Sequence, residues 1–252
     1  MLRPALPAVL CLCCLLLALP ARAALDDQQR ALQQLQVQAC RAVGSLLLLR
    51  GEGFQEQHAA QLEKDLASLD RALAAAPEGV LLRQGERALV ARAAYGPREE
   101  DLPWRYPQQL SRALRDFLNL VERQVPPPPP GQPLPLWQLP VRVEYLSLQY
   151  LARAYLGGLE IAREQPRDYL GQDESVLVPL IDRRIALLVA QSANPAGLKK
   201  LENRWEYLSQ ALRDLNSKSS ALVSASGRPW APIIVDRHAR ALSESLMRLS
   251  AE

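Results

Sequence analysis

Leucine, alanine and valine recur along most of the chain at alternating steps of three and four residues. The first such run comprises Leu32, Leu35, Ala39, Ala42, Leu46 and Leu49. This spacing puts apolar side chains on one face of a helix, and the glycines at positions 51 and 53 are typical of a helix terminus. The pattern therefore predicts a long amphipathic helix that ends near Gly51.

The same criterion predicts seven further helices. They span residues 54–73, 78–94, 104–121, 141–162, 177–188, 198–222 and 235–249. Sustained alternation of apolar and polar residues between hairpin turns, which is typical of β-strands, is not found in the sequence. The predicted fold class is therefore all-α.

A proline-rich segment divides the predicted helices into two groups. Eight of the 20 prolines fall within residues 126–140, a density that disfavours helix and favours an extended polyproline conformation. We expect a stiff hinge between two antiparallel helical bundles, at residues 24–125 and 141–252. Two alternatives remain: the segment is a docking peptide anchored by Trp137, or its leucines lie along a bundle and tie the halves together.

Short motifs recur in both halves, in the same order. Leu110 to Asp116 reads LSRALRD and Leu208 to Asp214 reads LSQALRD, each a few residues after a tryptophan. Asp70-Arg71 returns as Asp182-Arg183, and Arg41-Ala42 as Arg153-Ala154. These repeats favour a tandem duplication of one bundle. Chance similarity between helices rich in leucine, alanine and arginine is the alternative.

The N-terminus has the features of a secretory signal peptide. Arg3 precedes an apolar run over residues 9–19, and Ala21-Arg22-Ala23 matches a cleavage site. The run is shorter than the roughly 20 residues that span a bilayer. We expect cleavage of residues 1–23 and a periplasmic protein without a transmembrane span, or a secreted one as the alternative.

Charge and cysteine content narrow the function classes. The formal net charge is +3, and loss of Arg3 and Arg22 with the signal peptide lowers it to +1, which gives no indication of nucleic-acid binding. Cleavage also leaves Cys40 as the only cysteine, so an internal disulfide is not expected. We expect Cys40 to be buried as a small apolar residue; an intermolecular disulfide or a redox-sensitive thiol is the alternative.

Recognised catalytic and metal-binding motifs are absent from the sequence. The two histidines, His58 and His238, have no metal-ligating neighbour at helical spacing, and there is no nucleophile elbow or phosphate loop. Asp70 and Asp182 could serve a carboxylate-based hydrolase. Because arginines follow both, solvated ion pairing is the simpler interpretation. We predict no catalytic residues, metal site or cofactor.

Two residue pairs are candidates for binding. Arg41 and Arg153 occupy matching places in the first helix of each half, where guanidinium groups could hold a small anionic ligand. Trp137 and Trp230 lie in proline-bounded segments and could anchor a protein partner. The simpler interpretations are exposed arginines with packed stems and tryptophans that close the bundle ends; Trp104 and Trp205 are expected in the core.

The order of these features resembles the extracytoplasmic helical modules of the pilus chemotaxis transducer PilJ and the nitrate sensor NarX. The similarity lies in an early Arg-Ala pair, a short loop, a second helix with an acidic residue, and a later helix that opens on tryptophan. It covers residues 32–122 and 141–249. Those modules begin with a polar run around Arg-Met-Leu-Ser-Gln, where this chain has QVQACRAVG from Gln36 to Gly44. Only Arg41 matches an anion-binding arginine, and we do not expect the transmembrane helix and cytoplasmic output region of those sensors in this protein.

Together these observations predict a non-catalytic, exported helical binding module. The resemblance implies a ligand-sensing or signalling accessory protein that passes its state to another envelope protein. A structural adaptor of an envelope assembly is the alternative, and a carboxylate-based hydrolase ranks last.

Overall fold

The computed structural model describes residues 26–76, 106–124, 132–156, 174–192, 194–213 and 231–251. Within these ranges the structure is all-helical, which confirms the predicted fold class. The α-helices are α1 (Asp27–Gly51), α2 (Glu56–Ala74), α3 (Tyr106–Glu122), α4 (Leu139–Leu156), α5 (Glu174–Gln191), α6 (Pro195–Arg213) and α7 (Pro232–Ala251). The helix predicted over residues 78–94 lies outside the described residues.

Local sequence explains how several helices begin and end. The Asp26 carboxylate accepts a hydrogen bond from the backbone N–H of Gln29 (2.6 Å) and so caps α1. The helix ends at Gly51, and Gly53 has a φ of 80°, a conformation that glycine adopts without strain. At α6, Pro195 opens the helix and the Asn194 side chain accepts a hydrogen bond from the N–H of Gly197 (3.1 Å).

The end of the proline-rich segment is helical, contrary to the expectation of an extended chain through residue 140. Residues Leu136–Gln138 form a 3₁₀ turn that leads directly into α4. Pro140 fits there because the first turn of a helix leaves its N–H groups without intrahelical acceptors, so a proline removes no hydrogen bond. Leu139 is fully buried in this turn, as the alternative in which the leucines lie along a bundle requires.

Helix α4 lies at the centre of the described fold. Every residue from 139 to 152 is buried, although the sequence pattern predicts only one buried face. Helices α1 and α7 pack against α4 along its length, and α5 and α6 make smaller contacts with it. A helix surrounded on all sides has no solvent-facing stripe.

One hydrophobic core contains residues from both sides of the proline-rich segment. Helix α1 of the first half packs against α2 and also against α4 of the second half, which in turn packs against α7. The predicted halves therefore share a core along these helices. The helix contacts within the two halves differ. Helix α2 packs mainly on α1, whereas its predicted counterpart in the second half, α5, packs mainly on α6. The tandem duplication stays a prediction.

The close approach of α1 to α4 explains a glycine at the end of α1. A Cβ atom at Gly51 would lie 2.2 Å from Cδ1 of Tyr155, closer than van der Waals contact allows. The Tyr155 hydroxyl also donates a hydrogen bond to the Glu52 carboxylate, so the ring is held in place. We expect Gly51→Ala to lower the free energy of unfolding by about 1–3 kcal/mol through overpacking, as measured by urea denaturation.

A double-mutant cycle separates this contact from helix propensity. In the Tyr155→Ala background, Gly51→Ala should be neutral or slightly stabilising, because alanine favours helix over glycine by up to about 1 kcal/mol. Equal losses in both backgrounds would show that the tyrosine ring is not the obstacle.

Candidate functional site

A network of buried ion pairs joins four helices around Arg41 of α1. The Arg41 side chain is 9% exposed, and its Nε donates a hydrogen bond to Oε1 of Glu144 on α4 (2.7 Å). Its Nη2 donates to Oγ of Ser243 (2.9 Å) and to the backbone carbonyl of Arg240 (3.2 Å), both on α7. The Ser243 hydroxyl in turn donates to the Glu144 carboxylate. Charge-assisted bonds of this kind are the strong ones in a protein interior.

A second guanidinium, that of Arg240, continues the network to α2. Its Nη1 donates to Oδ2 of Asp65 on α2 (2.8 Å), and its Nε donates to Oδ2 of Asp236 one turn away (2.7 Å). Its Nη2 donates to Oγ of Ser45 (2.9 Å), whose hydroxyl donates to Asp65 (2.5 Å). Helices α1, α2, α4 and α7 are therefore cross-linked by polar contacts through their shared core.

Among the residues that the structure describes, the network contains more buried carboxylates than buried cations. Two guanidinium groups face the carboxylates of Asp65, Glu144 and Asp236. Burial raises the pKa of Asp236 from its ordinary 3.8 to about 6; Arg240 opposes this shift, and the negative charges of Glu144 and Asp65 reinforce it. Protonation of Asp236 would therefore cancel the one excess negative charge of these three carboxylates and two guanidinium groups.

A contact with Glu244 connects the network to the protein surface. The Nη1 of Arg41 lies 3.4 Å from Oε1 of Glu244 on α7, and the Glu244 side chain is 51% exposed. Glu244 also lines an open cleft of about 300 Å³ between α1 and α7. The cleft is lined by Arg30, Gln33, Gln34, Glu244, Met247, Arg248, Ser250 and Ala251.

Helical spacing explains why these residues meet in the cleft. Arg30, Gln33 and Gln34 are three and four residues apart on α1, and Glu244, Met247 and Arg248 have the same spacing on α7, so each set lies on one face of its helix. Gln33 is fixed by two hydrogen bonds at the bottom of the cleft. Its Nε2 donates to the backbone carbonyl of Trp137 (2.7 Å) and to Oγ of Ser250 (3.3 Å). The cleft thus offers cations, a carboxylate, amides and a thioether.

The two arginines proposed to hold an anion do not lie together. Helices α1 and α4 run parallel, because Arg41 contacts Glu144 and Glu52 contacts Tyr155 at the same sequence offset. In this register, Arg153 lies roughly 14 Å further along the helix axis than Arg41, at 1.5 Å per residue. The Arg41 guanidinium contacts protein groups in the network, and Arg153 is partly exposed near the end of α4. Anion binding by either residue stays a prediction.

The structure shows the surroundings of three residues singled out from the sequence, Trp137, Trp205 and Asp182. Trp137 is 7% exposed, so its ring packs in the bundle, and Trp230 and Trp104 lie outside the described residues. Trp205 is buried, which confirms its predicted core position, and its Nε1 donates to Oδ1 of Asp182 (2.6 Å). Arg213 also donates to Asp182 (2.5 Å), so that carboxylate joins α5 to α6.

Two further observations concern Asp70 and Cys40. Asp70 is exposed on α2. Cys40 is buried beside the ion-pair network, as expected for a small apolar residue. Burial raises the pKa of its thiol well above the ordinary value; the negative charge of Glu144 reinforces this shift, and the positive charge of Arg41 opposes it.

Searches for similar proteins give no assignment. No family model, curated protein or solved structure matches the chain.

Across the described ranges, no helix is both long and apolar enough to cross a membrane. Those same ranges contain no cluster of three or more histidine, cysteine or carboxylate side chains suited to a metal ion.

Proposed function

We propose that this protein is a non-catalytic helical binding module that senses a small polar ligand in the cleft between α1 and α7. The observation that carries the proposal is Glu244, which lines the cleft and also contacts Arg41 of the buried network. A ligand that engages Glu244 competes with Arg41 for the same carboxylate. Binding at the surface is thereby coupled to the contacts that hold four helices together.

The setting of this function is part of the proposal. The N-terminal pattern of residues 1–23 supports export to the periplasm. The resemblance to the PilJ and NarX modules supports a signalling accessory role, in which the ligand-bound form is read by another envelope protein. The polar network supports it as well, because a cross-link between four helices is an element that a ligand can bias.

A thermal-shift panel of the purified protein tests ligand binding. The panel contains envelope metabolites, inorganic anions, metals and glycans. A ligand at 100 times its dissociation constant adds about 2.7 kcal/mol of stability, which shifts the melting temperature by several degrees in a domain of this size. Ala in place of Arg248 or Gln34 should abolish the shift, because both residues line the cleft.

Arg153→Ala is the matched control, since Arg153 does not line the cleft. It should leave the ligand-induced shift unchanged. A flat panel from a protein that melts cooperatively, or a shift that survives both cleft substitutions, would contradict the proposal.

An adaptor role is the second candidate, and a surface feature of α5 favours it. Val176 (43% exposed) and Leu187 (39% exposed) lie on one face of this helix with Pro179 and the half-buried Leu180, and Arg183 is the charged residue among them. A matching partner is an amphipathic helix of an envelope protein with an acidic residue opposite Arg183. Leu187→Arg should then abolish site-specific cross-linking to that partner in intact cells, whereas Asn203→Arg on α6 should not.

A further inference from the structure

We infer that the groove between α6 and α7 contains an oxyanion site, in which Arg204 and Arg248 together hold a phosphate group. The ligand is inorganic phosphate or a small phosphate monoester. This site goes beyond the proposed function, because it lies where α7 faces α6, whereas the cleft lies between α1 and α7. The inference is based on two guanidinium groups that meet at one neutral hydroxyl, that of Ser245.

The two arginines come from different helices and donate to the same oxygen. Nη1 of Arg204 on α6 lies 3.3 Å from Oγ of Ser245, and Nη2 of Arg248 on α7 lies 3.2 Å from it. The two nitrogens are therefore no more than about 6.5 Å apart. Positive charges this close repel each other, so the arrangement favours an anion between them.

Both guanidinium groups have neutral acceptors in this groove. Arg204 also donates to the backbone carbonyl of Ala241 (3.3 Å), and the Ser245 hydroxyl donates to the same carbonyl (2.9 Å). Within the part of the chain that the structure describes, no ion pair joins Arg204 or Arg248 to a carboxylate. A bound anion would replace the neutral hydroxyl with charge-assisted hydrogen bonds, which are roughly twice as strong.

The geometry favours phosphate over a carboxylate. A carboxylate matches the fork of one guanidinium group, whereas a phosphate group offers separate oxygens to two of them. The site is open to such a ligand, since Arg248 is exposed and Arg204 and Ser245 are only partly buried.

The helix dipoles give no preference for either sign of charge. Helices α6 and α7 are antiparallel, because Arg204 contacts Ser245 and Tyr207 packs on His238 further back along α7. The negative C-terminal end of α7 and the positive N-terminal end of α6 therefore lie at the same end of the groove, and their effects on an anion oppose each other.

The full charges around the site are mainly positive. Glu244 precedes Arg248 by one turn and opposes an anion, but this carboxylate contacts Arg41 (3.4 Å). Lys200 is exposed one turn before Arg204 on α6 and adds a third cation. Glu202, on the same helix, contacts Lys199 (2.8 Å). Phosphate thus meets an excess of cations in this groove.

His238 provides a reporter next to the site. Its pKa is lowered by burial and, further, by the positive charges of Arg204 and Arg237. A phosphate dianion held by Arg204 would counter the second effect and raise the pKa of His238. The only other histidine, His58, lies on α2, which packs mainly against α1, and serves as the internal reference.

Calorimetric titration of the purified protein tests the site. The probes are inorganic phosphate and glycerol 3-phosphate, with acetate at matched ionic strength for comparison. Both phosphates should bind, and acetate should bind at least about tenfold more weakly. Arg204→Gln and Arg248→Gln should each weaken phosphate binding at least about tenfold. A proton NMR titration with phosphate should show a raised pKa for His238 and an unchanged one for His58.

Two control variants make the test specific. Arg71 on α2 donates to Oγ of Ser68 (2.9 Å) three residues earlier, as Arg248 does to Ser245, so Arg71→Gln removes a comparable single pair and should leave phosphate binding unchanged. Gln34→Ala alters the cleft and should also leave it unchanged.

The outcomes separate this site from the proposed function. The site is refuted if phosphate does not bind to the folded protein, or if it binds Arg204→Gln as tightly as the wild type. Loss of phosphate binding in Gln34→Ala would assign the anion to the cleft and refute the groove. Because Arg204 does not line the cleft, a cleft ligand that still binds to Arg204→Gln would leave the sensing proposal intact.

Discussion

Arg41→Ala is expected to lower the free energy of unfolding by about 3–5 kcal/mol, the loss typical of a buried ion pair that keeps only one partner. The substitution leaves the Glu144 carboxylate, whose side chain is 2% exposed, with Ser243 but without its cation. It also removes the hydrogen bond to the Arg240 carbonyl on α7. Urea denaturation followed by circular dichroism gives the change in stability directly.

Two further variants make this test specific. Arg153→Ala should change stability by no more than about 0.5 kcal/mol, because Arg153 is partly exposed and the buried carboxylates of the network, Asp65, Glu144 and Asp236, pair with other arginines. The pair Arg41→Met with Glu144→Leu should recover much of the loss, since apolar side chains need no counterion. A cost below about 1 kcal/mol for Arg41→Ala would show that the network does not hold the helices together.

The stability of the protein is expected to fall as the pH rises through about 6, because Asp236 has a raised pKa in the folded state. The pKa of Asp236 is about 6 in the fold against an ordinary 3.8, so the folded state binds the proton more tightly than the unfolded state does. The contribution is fully present below pH 3.8 and lost above about pH 6. Two pKa units correspond to about 3 kcal/mol.

The difference between the wild type and Asp236→Asn isolates this contribution. The asparagine variant cannot take up the proton, so its stability relative to the wild type should improve by up to about 3 kcal/mol between acidic and neutral pH. Denaturation curves across this interval provide the measurement. Asp116→Asn, at an exposed carboxylate on α3, serves as the control with an unchanged profile. Parallel pH profiles for Asp236→Asn and the wild type would refute the role of Asp236.

The helices were predictable because their signals are local. The alternation of three and four steps from Leu32 to Leu49 gave α1, and Gly51 gave its end. The start of α4 was predicted two residues late, at 141 instead of Leu139, because Pro140 was assigned to the extended segment although a proline is tolerated in the first turn of a helix. The complete burial of α4 was missed as well, since it depends on how α1 and α7 pack around it and not on its own sequence pattern.

The polar network was not predictable from the sequence. Arg41 is 103 residues from Glu144 and 202 from Ser243, and no local pattern connects groups so far apart. One signal was present: Asp65 stands within the apolar stripe of Leu62, Leu66 and Leu69, where a carboxylate needs a buried partner. A partner can be named only when the packing of α2 and α7 is known.

The central position of α4 limits which sequences can replace it. A surface helix accepts many residues on its outer face, and only its inner stripe is restricted. From 139 to 152, α4 has no outer face, so each side chain meets a fixed neighbour. Chance substitutions should therefore be tolerated least in one continuous block of the chain, and divergence among descendants of this gene should be slowest there.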